Sequence, residues 1–278
     1  MKVWAKERLL LRKLHLFIVL WLSTFSVMAD DIQLKGQLTQ GSLIRGQLPA
    51  GSQIWLNDKP IKISENGHFA FGFGRDAKLK HQLKWQDSQG TQYNKLLNLI
   101  ARTYVKQRIE GVASKYVSPA KEVLARIAKD NQQVAKARSN STDSLDFTQD
   151  FIWPAEGPIS GVYGSRRVFN GTPKRPHFGV DVAGPTGTPV YAPASGIVTL
   201  WEPDMYYSGG TMIIDHGFGV SSTFIHLSKG HVQAGTKVNQ GDLVAEIGAT
   251  GRVTGPHLDW RINWFKERLD PALLVPKR

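Results

Sequence analysis

The chain has 278 residues, of which 41% are hydrophobic and 10% aromatic, with no cysteine and a formal net charge of +12. Length and apolar content suffice for more than one core, so two domains are expected. Without a thiol there is no disulfide framework, no thiolate metal site and no lipid-modified N-terminal cysteine, so any metal must be held by histidine and carboxylate.

Residues 1–29 carry Lys2, Lys6, Arg8, Arg12 and Lys13, an apolar run from Leu14 through Trp21, and Val27-Met28-Ala29 ahead of Asp30-Asp31. This is the pattern of a secretory signal peptide cut after Ala29. An uncleaved anchor is the alternative, but Ser23, Thr24 and Ser26 interrupt the run, which falls short of the roughly 20 residues a spanning helix needs. The expectation is an exported, periplasmic protein with no stable membrane anchor after cleavage. Removing five basic residues and Glu7 leaves +8 of the +12. That balance suits nucleic acid, a membrane surface or an anionic wall polymer alike, and export selects the wall polymer over nucleic acid.

Twenty-seven glycines and fourteen prolines spread over many short segments predict a mostly β architecture. From residue 30 to about 104, apolar and polar residues alternate in short runs: Ile54-Trp55-Leu56, Ile61-Lys62-Ile63 and Phe69 to Phe73, with Asn66-Gly67 between the last two. This reads as a small β-sandwich containing a tight hairpin, with Phe69, Phe71 and Phe73 sharing a core face. No chemistry is visible in it. Residues 105–150 form a helical segment and linker. Val123, Leu124, Ile127 and Val134 predict a helix of about five turns, with Ser118 as N-cap and Pro119 in the first turn. The helix packs on a neighbouring domain or covers a substrate groove. Ser139 to Ser144 offer no apolar anchor and read as a flexible tether.

From residue 151 to 278 strands return, at Val190-Tyr191, Gly196–Trp201, Thr211–Asp215, Val220–His226, Leu243–Ile247 and Leu258–Trp264, separated by Gly, Pro, Asp and Asn. An antiparallel β domain is expected. Within it His177 and Asp181 stand in His-Phe-Gly-Val-Asp, His226 in Phe-Ile-His-Leu-Ser, and His257 and Asp259 in Gly-Pro-His-Leu-Asp-Trp. On an extended strand even spacing puts His257 and Asp259 on one face, and aligns His177 with Asp181 if that stretch is extended. A catalytic zinc site uses three protein ligands and keeps a position for water. His177, Asp181 and one group of the 257–259 pair would supply three, leaving imidazoles to orient the water and stabilise an oxyanion.

The segments Tyr163-Gly164-Ser165-Arg166, Pro176 to Asp181, Gly187-Thr188-Pro189-Val190, Ala194 to Val198, Ile225-His226-Leu227-Ser228 and Gly248-Ala249-Thr250-Gly251 through Thr254 to Leu258 resemble, in order, the lysostaphin/LytM-type zinc endopeptidases. The resemblance covers residues 155–272. It implies a peptidase acting on peptidoglycan stem or cross-link peptides, one Zn²⁺ per chain on His177 and Asp181, and His226 and His257 as catalytic imidazoles. The family's third ligand is the second histidine of His-x-His, where this chain has Asp259, so the third ligand is a carboxylate or is missing. Asp259 can serve, because a carboxylate oxygen sits one bond beyond Cγ, as histidine Nδ1 does, and zinc accepts carboxylate oxygen. Two carboxylates would neutralise the ion and acidify its water less than one.

The resemblance also allows a metal-free relative that regulates wall amidases by binding, but such proteins lack several of these positions together. A carbohydrate-binding module built on Trp201, Tyr206, Tyr207, Trp260 and Trp264 is the reading from another class, and isolated aromatics of that kind are more often core.

Overall fold

Alternation in the first hundred residues becomes β1 (Leu34–Lys35), β2 (Leu43–Gln47), β3 (Gln53–Leu56), β4 (Lys59–Pro60), β5 (His68–Gly72), β6 (Lys80–Gln86) and β7 (Gln92–Asn98). The computed structural model describes residues 32–111 and 120–278. The expected signal peptide at 1–29 and the helix cap at Ser118 and Pro119 lie outside the described residues. The strands pair antiparallel into two sheets, β1-β2-β5 and β4-β3-β6-β7. Between them Phe69, Phe71 and Phe73 meet Ile44, Ile54, Leu83, Trp85 and Leu97 in one apolar core.

The turn at Asn66-Gly67 forms as expected. Gly67 has φ 82°, and a Cβ there would lie 1.7 Å from the Leu48 carbonyl oxygen, so no other residue fits. The hairpin arm expected at Ile61–Ile63 shrinks to one bridge, Ile63 to Phe69, because β5 pairs along its length with β2. Strand alternation gives the β2–β5 pair a second buried face: Leu43 and Ala70 point away from the phenylalanines into the core of the C-terminal half.

The chain then runs through β8 (Lys106–Ile109), a 3₁₀ turn at Lys121–Val123 and α1 (Leu124–Ser139). Residues 140–144 are not a free tether. Thr142 donates from N and Oγ1 to Asp215 Oδ2 at 3.1 and 2.8 Å, and Lys62 Nζ donates to the Ser141 carbonyl at 2.9 Å. Small polar residues without an apolar anchor supply hydrogen-bonding atoms instead, and those dock the segment.

The C-terminal half comprises β9 (Ile159–Gly161), β10 (Arg166–Phe169), β11 (Thr172–Pro173), β12 (Val180–Ala183), β13 (Pro189–Tyr191), β14 (Gly196–Met205), β15 (Gly209–Asp215), β16 (Val220–Gly230), β17 (Lys237–Val238), β18 (Leu243–Ile247), β19 (His257–Trp264) and β20 (Glu267–Leu269). Ten of these form one antiparallel sheet ordered β17-β14-β15-β16-β19-β12-β9, with β13, β18 and β20 branching from it. β10 and β11 form a separate hairpin, joined in parallel by β8. β15 is buried at every position, the pattern of a strand covered on both faces. α1 supplies part of the cover beside β14 and β15: Arg126 pairs with Asp204 at 2.8 Å, and Asp130 accepts from the Tyr206 N–H at 2.7 Å. Trp260 is wholly buried and Trp264 packs against both cores, so these aromatics are structural. Among the described residues no helix is long and apolar enough to cross a membrane.

Candidate metal centre

Three neighbouring strands assemble the site. β12 and β19 pair so that Asp181 lies directly opposite Asp259, and Ala183 opposite His257. β16 flanks the other side of β19, with Ile225 opposite Asp259. His177 is not on a strand, since β12 starts at Val180. Its place is set by a clip instead: the His177 N–H donates to the Ser165 carbonyl at 2.9 Å, and its own carbonyl accepts from Gly164 N at 2.7 Å.

The result is a convergence of acceptors. His177 Nε2 lies 2.9 Å from Asp181 Oδ1 and 3.2 Å from Asp259 Oδ2, and all three side chains are buried. His177 Nδ1 faces the Val162 carbonyl at 3.3 Å. A carbonyl can only accept, so Nδ1 carries the hydrogen and the neutral ring turns the Nε2 lone pair towards the two carboxylates. Such an arrangement requires a cation at its centre, either a proton on Nε2 or a metal ion. Burial alone would push the His177 pKa down, but Asp259 and Asp181 raise it above the usual histidine value.

Two carboxylates directly opposite on paired strands repel. Arg261 answers this on the Asp259 side: its Nε donates to Oδ1 at 2.9 Å and its Nη2 to Oδ2 at 2.6 Å. Burial pushes Asp259 up, yet Arg261 and then His177 hold it well below the usual carboxylate range. Arg261 adds a positive charge that the reading from sequence did not include: a divalent ion held between the two carboxylates would leave the site net positive, as with a single carboxylate. The last turn of α1 adds Arg138, which donates to Thr223 Oγ1 at 3.0 Å, opposite Arg261 in the β16–β19 register. Burial, then Arg261 and Arg268, push the Arg138 pKa down to about 9.

Two glycines make room for the carboxylates. A Cβ on Gly161 would lie 2.1 Å from Asp181 Oδ2, and one on Gly179 would lie 2.1 Å from Asp259 Oδ1.

His226 and His257 stand beside this cluster with ring centroids 4.9 Å apart. Phe224 pairs with Met212 and Leu227 with Gly210, so Ile225 and His226 together oppose Thr211 alone. That bulge places His226 at φ 68° and re-aims its side chain. The His226 Nδ1 donates to the Thr250 carbonyl at 2.8 Å, and His257 Nδ1 to the Gly255 carbonyl at 2.8 Å. In the neutral form of each ring the hydrogen therefore sits on Nδ1, which leaves Nε2 as the acceptor. Burial pushes the His226 pKa down to about 4, so it is neutral near pH 7. His257 Nε2 lies 3.9 Å from Asp181 Oδ1.

The donor set fits zinc. One imidazole nitrogen and two carboxylate oxygens are ordinary zinc ligands, and a tetrahedral ion about 2 Å from each needs ligand atoms about 3.3 Å apart, against the observed 2.9 and 3.2 Å. The potential ligand atoms of His177, Asp181 and Asp259 all lie within 4.8 Å of one another. All five residues singled out in the sequence thus meet in one place. Arg261 was missed there, although it continues the even spacing of His257 and Asp259. The carbonyls that orient the histidines leave no side-chain signal to read.

Residues 175–271 match peptidase family M23. The peptidoglycan DD-endopeptidase ShyA of Vibrio cholerae is 33% identical over 193 residues, 65% of this chain and 44% of ShyA. An uncharacterized metalloprotease of Haemophilus influenzae is 31% identical over 211 residues, 70% of this chain and 42% of that protein. The chain spans less than half the length of these relatives. Among solved structures, a Pseudomonas aeruginosa chain assigned to peptidase M23 superposes with TM-score 0.66 at 27% identity, covering 86% of this chain and 95% of that one. The antiparallel sheet that brings Asp181, His226 and Asp259 together falls largely within residues 175–271, the stretch that forms a peptidase M23 domain of the LytM-type fold.

Proposed function

We propose that the protein is an exported zinc metalloendopeptidase that hydrolyses peptide bonds in peptidoglycan stem or cross-link peptides, in the periplasm, during wall remodelling. The layout that goes with this reading is an export segment at 1–29, a β-sandwich at 30–104, a connecting segment at 105–150 and the peptidase at 151–278. The observation that carries it is the inward convergence of His177 Nε2, Asp181 Oδ1 and Asp259 Oδ2 next to two oriented imidazoles. His177, Asp181 and Asp259 would hold the ion, which when bound supplies Lewis acidity toward a carbonyl and acidifies water. His226, neutral and fixed through Thr250, accepts a proton from the attacking water at Nε2. That proton passes on to the leaving amine, and His257, fixed through Gly255, is the second imidazole, which hydrogen-bonds the developing oxyanion when its Nε2 is protonated. That ligands and both imidazoles are retained together favours catalysis over a metal-free regulator of wall amidases.

The test is incubation of the zinc-loaded mature protein with purified peptidoglycan, with and without chelator and alongside His177→Ala. Chelator-sensitive conversion of cross-linked fragments to uncross-linked ones, absent in the variant, is expected. A protein that holds stoichiometric zinc yet releases nothing would overturn the catalytic reading.

A further inference from the structure

Arg261 grips Asp259 by the edge of the carboxylate that a metal would need for two-oxygen chelation. The inner lone pairs of Oδ1 and Oδ2 converge on one region, and the guanidinium fork occupies it, Nε on Oδ1 at 2.9 Å and Nη2 on Oδ2 at 2.6 Å. Oδ1 is also crowded by Gly179, where even a methyl group would come within 2.1 Å of it. What remains is approach to Oδ2 from the side of His177, whose Nε2 lies 3.2 Å away. Asp259 therefore has one donor position left.

We propose that Arg261 is a positioning residue that confines Asp259 to single-oxygen coordination, and so tunes the centre to a four-coordinate ion such as zinc against larger, harder cations. The inference rests on His177, Asp181 and Asp259 being the ligands. Calcium and manganese favour six or more oxygen donors and readily take both oxygens of a carboxylate, whereas zinc is satisfied by three protein atoms and a water. A free Asp259 could swing to chelate and raise the coordination number. The fork prevents this while leaving Oδ2 to behave as the single nitrogen of a histidine would. Arg261 is itself fixed: it lies on β19 opposite Thr223, whose hydroxyl accepts from Arg138, and a Cβ on Gly179 would lie 2.8 Å from its Cγ.

The experiment compares the mature wild-type protein with Arg261→Met and Arg261→Lys, each loaded with Co²⁺ for visible spectroscopy and titrated with zinc against manganese. The wild type should show the intense absorption of four-coordinate cobalt and a strong preference for zinc. Both variants should lose band intensity and at least about tenfold of that preference, the usual scale for an outer-shell partner. Lysine keeps the charge but cannot fork, so a lysine variant matching wild type while methionine does not would overturn the proposal in favour of charge alone. Wild-type spectra and selectivity in both variants would also overturn it. Adding Asp259→His to Arg261→Met should restore the four-coordinate spectrum, since an imidazole offers one donor without help; failure of that rescue in a folded protein would mean that Arg261 acts elsewhere. A wild-type protein that takes up neither cobalt nor zinc would instead refute the ligand assignment beneath the proposal.

Discussion

Gly179→Ala tests the site through the backbone rather than through a ligand. The new Cβ would sit 2.1 Å from Asp259 Oδ1, 2.7 Å from the Trp260 carbonyl oxygen and 2.8 Å from Arg261 Cγ. Ordinary contact begins near 3.4 Å, so Oδ1 must retreat by about 1.3 Å or the strand must move. The carboxylate cannot simply rotate, because Arg261 holds both oxygens. The Trp260 carbonyl cannot yield cheaply either, since Trp260 pairs with Val180 in the β12–β19 ladder and its ring is wholly buried. If Oδ2 moves with Oδ1, the 3.2 Å separation from His177 Nε2 is lost, and one ion about 2 Å from each can no longer be shared. Overpacking of this kind costs about 1–3 kcal/mol, which the large core beneath the sheet can absorb. Zinc affinity should fall about a hundredfold, the upper range for disturbing a ligand's support. Chelator competition gives the affinity, and thermal unfolding of the metal-free protein gives the fold. Zinc bound as tightly as by the parent would refute the reasoning, because Gly179 would then not be there to make room for Asp259.

Two further outcomes follow from the histidines. His226→Ala and His257→Ala should keep stoichiometric zinc and lose turnover by roughly a hundredfold or more; metal analysis beside peptidoglycan digestion checks both, and loss of zinc from a folded variant would make that histidine a ligand. In metal-free protein, His226 titrates near pH 4 when folded because burial disfavours its charge, and fully buried His216, between the Ser195 carbonyl and Ser222 Oγ, is lowered for the same first cause. The unfolded chain then binds more protons, so stability is fully present above about pH 6.5 and declines as pH falls towards 4, by about 3 kcal/mol from His226 alone. Chemical denaturation across that range should show the decline, and a much shallower one in His226→Asn.

What the sequence made legible was whatever repeats at a fixed spacing. The run Phe69, Phe71, Phe73 read as one core face and is one, and Leu243–Ile247 and Leu258–Trp264 became β18 and, with His257 added, β19. The same parity brought His257 and Asp259 forward. Elements fixed by tertiary partners were not readable. Residues 140–144 look unanchored because their anchors, Asp215 and Lys62, are remote in sequence. His177 sits beside Asp181 through a clip to Ser165 rather than through strand periodicity, and the His226 bulge depends on which residues of β15 it faces.

Arg261 lies between these cases, and it changes what Asp259 means. Taken alone, an acid where the family has histidine looks like either a lost ligand or an over-neutralised metal. Paired by both oxygens, the same acid presents one donor atom and little net charge toward the ion, which is what a neutral imidazole presents. The departure therefore spans two positions, 259 and 261, on one face of one strand. A substitution at either position alone breaks the equivalence: Asp259→His leaves a guanidinium facing the ion with no carboxylate between them, and loss of Arg261 leaves two bare carboxylates directly opposite across β12 and β19. The histidine-for-aspartate exchange is thus expected to succeed only when Arg261 is removed with it, which is why the double variant, rather than Asp259→His alone, is the informative return to the family pattern.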